Sequence, residues 1–385
     1  LMKKILTAAL LATAVLLAAC GNLNFNSGSG ASGASGSSTS KYTTTGTSDS
    51  GTYEGVIKGG RYQTSSARGL QLTQNQQDGN AFNIKSMEAG LQEIAKKQFS
   101  TSKYLFEEGQ LLSTATAKKW LGHRSDQDAE GLNPKSNKET DPDKRVPTYL
   151  QTILEQDYMT QSGSSMSLGG VAIGLGMNEY DYYEKEQYGA TYTTHITDAA
   201  MTQQSRRMAQ EVVARVRRMK GVSNTTPIVI GLYKLAARDS LVGGTYFDYV
   251  VSTSGTSLQS WKPVNQQNEV LPTIDNKKPI NQTVADDFNN FQSNVENFFP
   301  TLAGVTAQAH YEDNQLAGLN VTINTQFYGL TEIQSFTQYV SAMASKYLPS
   351  GVQVQITVQS TQGMQAFLAR ASGAKDFTTH VFDSY

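Results

Sequence analysis

The chain of 385 residues has a single thiol, Cys20, which stands directly behind an apolar run in the order Leu17-Ala18-Ala19-Cys20. Small side chains at Ala18 and Ala19 let the backbone enter a protease cleft, and a thiol at the next position can take a diacylglyceryl group. Lys3 and Lys4 supply a short positive segment, and Ile5 to Ala19 is apolar except for Thr7 and Thr13. Such a run is too short for a comfortable membrane span and suits the apolar region of an export signal. The pattern is that of a bacterial lipobox. It predicts cleavage between Ala19 and Cys20, acylation of Cys20, and a mature chain anchored on the extracellular face of the cell membrane. Acyl chains contribute ~0.8 kcal/mol per buried CH2, so two or three of them hold a protein stably. A lone cysteine also excludes any disulfide within the chain, and the fold must rest on packing.

Elsewhere the residues that do chemistry are scattered. There is no G-x-S-x-G elbow, no P-loop lysine and no H-E-x-x-H. His123, His195, His310 and His380 lie far apart, without metal-ligand spacing. An acylated Cys20 leaves no nucleophilic thiol, and no paired-carboxylate motif marks a hydrolase. The expectation is a non-enzymatic protein without cofactor or metal. The 32 basic and 33 acidic residues nearly cancel, which argues against nucleic acid as a partner. Tyr180, Tyr182 and Tyr183, with Glu184 and Glu186, are the candidate binding group, either a platform for a glycan or peptide or ordinary strand packing. The glycines of "GVAIGLGMN" read as a close-packed strand. Arg206, Arg207, Arg215, Arg217, Arg218 and Lys220 make one helix basic, read as a solvated face within reach of anionic lipid.

Only 38% of residues are hydrophobic, and the deficit is local. Ser27 to Ser40 is nearly all Gly, Ser and Ala, with Thr, Ser and Gly dominating on to Thr52. Residues 20–60 therefore read as a disordered tether with a reach of about 30–35 Å. Beyond it the patterning turns globular. Helices are expected over Ile84 to Phe99, from about Pro147, over "DAAMTQQSRRMAQEVVARVRRMKG", along the Val284–Phe298 stripe, and after a Thr331/Gln334 capping box. Strands are expected at "GGVAIGLGMNEYDYYEK", "PIVIGLYKLA", "YFDYVVS", "GVQVQITVQ", "MQAFLARAS" and "THVFDSY", with a hairpin around Glu312 to Asn314. Both halves run helix, hairpin, long strand, helix, strand, strand, and "YLFEEGQLLS" and "AHYEDNQLAG" share a similar turn. The fold class expected is α+β: two tandem related repeats with largely antiparallel sheets. The first repeat spans 61–255, with an insertion near 115–167, and the second spans 256–385.

Several stretches resemble the CamS family, the sex pheromone precursor lipoproteins of Gram-positive bacteria: "SARGL" at Ser66, "GLNP" at Gly131, "TDP" at Thr140, "YLQTILEQDY" at Tyr149, "VAIGLGMNEYDYYEKEQYG" at Val171 and "SFTQYV" at Ser335. The resemblance spans nearly everything after the tether. It implies that a short apolar peptide is cut from the end of the signal sequence, which by position is Thr13-Ala14-Val15-Leu16-Leu17-Ala18-Ala19. Signal peptidase II would cut before Cys20, and an intramembrane protease would trim the remnant. The family's peptide is richer in bulky β-branched and aromatic residues, from which Thr13 and Ala14 depart. The resemblance implies two repeats and brings no catalytic residues. Two functions follow as expectations: a precursor of a conjugation-related peptide, or a solute- or glycan-binding surface lipoprotein with its ligand between the repeats.

Overall fold

A computed structural model describes residues 42–46, 51–68, 70, 80, 83–299 and 302–384. The first of the described residues form a small antiparallel sheet of β1 (Tyr42–Thr44), β2 (Val56–Lys58) and β3 (Arg61–Tyr62). Part of the stretch read as tether, residues 42–46 and 51–60, is thus ordered. The cause is local: Val56 is buried, and the Phe106 N–H donates to the Glu54 carbonyl at 2.8 Å. Helix α1 (Ile84–Lys96) follows, capped by the Asn83 side chain, with Met87, Leu91 and Ile94 on its buried face.

Next come β4 (Leu105–Glu108), α2 (Thr114–Leu121), β5 (Leu150–Ser162), β6 (Ser165–Met177), a separate hairpin of β7 (Tyr180–Glu184) and β8 (Thr191–His195), α3 (Asp198–Val216), β9 (Ile228–Lys234), β10 (Thr245–Ser252) and β11 (Lys262–Pro263). The second half holds β12 (Gln266–Leu271), α4 (Gln282–Glu296), β13 (Leu302–Glu312), β14 (Gln315–Thr325), α5 (Leu330–Tyr347), β15 (Gln353–Ser360), β16 (Gly363–Arg370) and β17 (Thr378–Val381). The two six-stranded sheets run β4-β5-β6-β9-β10-β11 and β12-β13-β14-β15-β16-β17. In each, a helix follows the first strand and another follows the third. The third and fourth strands are parallel, and all other neighbours are antiparallel. The architecture is α+β with mostly antiparallel sheets.

The matching unit is therefore strand, helix, hairpin, helix, hairpin, edge strand. Tyr104 to Ser113 is not the counterpart of the Glu312–Asn314 hairpin. That counterpart is β5–β6, which turns at Gly163, and β4 corresponds to β12. Of residues 115–167, most of α2, all of β5 and the start of β6 belong to the repeated unit, and the part without a counterpart is the connection 122–149, where the second unit uses only 297–301. The segment from Pro147 is strand β5 rather than helix. Ile153 packs in one core and Leu154 and Tyr158 in the other, so a strand buried on both faces has no alternation to display. At α5 the box is shifted by two residues. Glu332 accepts the Gly329 N–H at 3.3 Å, and Gly329 has no side chain to complete the exchange.

Three cores result. The first sheet is covered on both faces, by α1 over Leu154, Tyr158, Val229, Tyr233 and Tyr246 and by α2 and α3 over Ile153, Ile173, Leu175, Ile230 and Leu232. The second sheet has α4 and α5 on one face, where Phe288, Phe291 and Phe336 meet Val321, Ile323, Ile356 and Leu368. Each fully buried phenylalanine contributes about 1.5–3 kcal/mol. The stretch Lys262–Leu271 joins the units by serving as edge strand to both sheets.

Candidate binding cleft

Parallel strands direct their carboxyl ends toward one side of a sheet, where the following loops can enclose a ligand. After β6 and β9 those loops are long. One carries the β7–β8 hairpin, and the other runs from Leu235 to Gly244. Together with β12 and the turn that follows it, they enclose a cleft of ≈ 670 Å3 between the two units. The Gly244 backbone passes so close to β9 that a Cβ there would lie 2.0 Å from the Lys234 carbonyl oxygen, which restricts the position to glycine.

The charged walls of the cleft are held by internal partners. Lys234, at the end of β9, bridges Glu179 at 3.0 Å and Asp198 at 3.1 Å. Burial works against its ammonium, but bonds to the two carboxylates outweigh that and raise it above the ordinary lysine range. On the opposite wall Glu269 accepts from the Tyr311 hydroxyl at 2.6 Å and from the Ile280 N–H at 3.0 Å. Burial, and then Glu269, push the Tyr311 phenol up. Asn268 Nδ2 donates to the Gly243 carbonyl at 2.9 Å while its Oδ1 meets His310 Nδ1 at 2.6 Å. Gln308 donates to the Leu241 carbonyl at 2.7 Å. Those bonds fix the loop of the first unit to the second. The rim is mixed: Leu241 and Ile274 are 59% and 50% exposed, and Asp239, Asp275, Lys277 and Lys278 stand around them. Such a lining can hold a small solute with both polar and apolar parts.

The three tyrosines singled out by sequence have separate tasks. Tyr180 lines the cleft, its ring centroid 5.2 Å from that of His195. Tyr182 backs the loop, its hydroxyl accepting the Arg238 N–H at 3.3 Å with the guanidinium 5.0 Å above its ring. Tyr183 faces away, under Arg145 at 3.9 Å, and donates to the Thr140 carbonyl at 2.7 Å. The structure brings only Tyr180 to the cleft. Cys20 and Thr13, Ala14, Val15, Leu16, Leu17, Ala18 and Ala19 lie outside the described residues.

The polar groups that position the hairpin were not evident in the sequence. Arg145 pairs with buried Asp181, which also accepts the Thr148 N–H at 2.8 Å. Asn178 accepts from Asn80 at 2.8 Å and donates to the Thr148 carbonyl at 2.9 Å. A second missed group lies under the loop before α2. Glu155 accepts the N–H groups of Leu111 and Leu112 at 2.8 and 2.7 Å, and Asp157 accepts that of Gln110 at 2.9 Å. Burial, and then the Glu155 charge, raise Asp157 well above the usual carboxylate range. Two acids spaced by one residue inside the apolar "ILEQD" were the available signal. The basic helix α3 is less solvated than its composition suggests. Arg206 pairs with Asp248, Arg207 and Arg215 with Glu211, and Arg217 bonds three carbonyls.

The family model described as CamS sex pheromone cAM373 precursor matches residues 62–376. The chain belongs to the CamS family. The crystal structure of a sex pheromone precursor from Lactobacillus salivarius subsp. salivarius UCC118 is 47% identical, with a TM-score of 0.85, over 89% of this chain and 100% of that one. The C-terminal domain of the sex pheromone staph-cAM373 precursor from Staphylococcus aureus is 27% identical, with a TM-score of 0.67, over 79% of this chain and 98% of that domain. No curated protein shows a significant match. Among the described residues no helix is long and apolar enough to cross a membrane.

Proposed function

We propose that this CamS-family chain is a membrane-anchored surface lipoprotein and the precursor of a short apolar peptide, Thr13–Ala19, that acts in conjugation signalling. The observation that carries the reading is Leu17-Ala18-Ala19-Cys20 behind a charged start and an apolar run, in a chain of the precursor family. Signal peptidase II cuts before Cys20, an intramembrane protease trims the remnant, and lipid on Cys20 retains the folded units outside the membrane. The peptide has no charged side chain, which suits export and re-entry. The test is Cys20→Ala in the native host, paired with synthetic Thr13–Ala19 on recipient cells. The variant should carry no lipid and release no Thr13–Ala19 fragment, and the synthetic peptide should induce a mating response. A Cys20→Ala chain that still releases the fragment overturns processing at Cys20, and inert peptide overturns the signalling role.

The cleft favours a second role for the mature protein, as a non-enzymatic binder of a small solute. Supporting it are the ≈ 670 Å3 volume between the units and the bonds that lock its walls. Crystals soaked in a fragment mixture should show density against Tyr180 and Lys277. Density confined to other surfaces would contradict the assignment.

A further inference from the structure

The free face of the second sheet has a composition that folding alone does not require. Along β13 to β16 burial alternates, with Val305, Ala307, Val321, Ile323, Val354, Ile356, Ala366 and Leu368 turned to the helices. The alternate positions form rows across the strands. Thr306, Thr322, Thr357, Phe367 and His380 are in register in one row, and Val270, Gln308, Asn320, Gln355, Ala369 and Thr378 in the next. No Lys, Arg, Asp or Glu occurs in either row. A merely solvated face would ordinarily carry such charges. The same face of the first sheet is apolar and covered by α1, so the amides and hydroxyls here replace a packing surface.

We infer that this face is a docking surface for an uncharged polysaccharide. Asn and Gln amides and Thr hydroxyls each both donate and accept, as sugar hydroxyls do, and neighbouring strands repeat them at about 4.8 Å. The side chains of Asn320, Thr322, Gln355 and Thr357 form no hydrogen bond to other described residues, so their capacity is free for a ligand. With no ion in either row, docking a neutral polymer strips water from no charge there. Ring faces for the apolar side of a sugar stand at the margin, where Phe367 adjoins His380 and the His380 and Phe382 rings lie 4.8 Å apart. Val270 and Gln308, at the β12–β13 end of the second row, adjoin the cleft, so the docking surface is the part beyond them, Thr306, Asn320, Thr322, Gln355 and Thr357, and it does not depend on a solute binding in the cleft.

The test is co-sedimentation of the full chain with insoluble chitin and cellulose, in dilute and in molar salt. The chain should be retained on at least one polymer with equal strength at both salt levels. Gln355→Glu should weaken retention about tenfold, by placing a charge in the row. Thr357→Val, which keeps shape and strand preference, should weaken it by a smaller factor, and Leu241→Ser at the cleft should leave it unchanged. No retention on either polymer overturns the inference, as does retention that salt abolishes. Retention lost with Leu241→Ser and kept with Gln355→Glu would also overturn it and assign the glycan to the cleft. A dimer in solution that Gln355→Glu dissociates, without polymer binding, would assign the face to a second copy.

Discussion

Two sheets with one connectivity are finished differently. Helices pack on both faces of the first sheet, whereas among the described residues helices cover one face of the second. The loops after the parallel strands differ as well. In the second unit residues 326–329 and 361–362 suffice to leave β14 and β15, whereas the first unit inserts a hairpin and the 235–244 loop. Buried polar side chains follow the same division. Glu155, Gln156, Asp157, Asn178, Asp181 and Asp248 lie in the first unit, and among the described residues the second buries only Thr325, Thr337 and Arg370. The connectivity sets a stable frame. The cleft comes from what was added at the carboxyl ends of one parallel pair, and that addition needed buried polar groups to hold it.

The sharpest way to break the comparison is to remove one of those groups. Arg145→Ala leaves Asp181 buried without its partner and should cost about 3–5 kcal/mol. Proteolysis and hydrogen exchange should show the β7–β8 hairpin loosened, with the second sheet unchanged. Leu91→Ala, on the helix that covers the second face of the first sheet, should cost about 2–5 kcal/mol in thermal or denaturant unfolding. The contrasting Thr322→Ala on the uncovered face of the second sheet should stay within about 0.5 kcal/mol.

A smaller effect separates the units by pH. Asp157 is pushed up by burial and then by Glu155, so the folded chain keeps a proton that the unfolded chain releases above about pH 3.9. The folded state binds more protons in that window, and stability should fall as pH rises from there toward the raised folded value. Asp157→Asn should flatten that slope in urea titrations of the first unit. A local effect is expected of Asn268→Ala, which removes the hydrogen bond to Gly243 between the units. A change of about 1 kcal/mol is expected, with faster amide exchange confined to the 235–244 loop.

What could be read in the sequence was whatever is local and one-sided. Helices α3 and α4 display their apolar stripes, and β15 alternates. Strand β5 concealed itself because both of its faces are buried, and Leu150, Ile153 and Leu154 then fall at helical spacing. Reading β5 as a helix places the hairpin of the first unit at Tyr104–Ser113 and aligns the repeat on the wrong turn. The cleft was invisible for a different reason. Tyr180, Lys234 and Asn268 are distant in sequence and meet only through loop geometry. The polar rows of the second sheet were legible as alternation, but alternation alone states which face is wet and not what it touches.

The claim on which the functional reading rests is the processing of the N-terminal segment, and mass spectrometry of membranes and culture supernatant from the native host tests it most directly. A diacylglyceryl-modified Cys20 peptide in the membrane, together with free Thr13–Ala19 in the supernatant, is the expected result. Lipidated Cys20 with no released Thr13–Ala19 would contradict the precursor role and leave the two folded units to account for function alone.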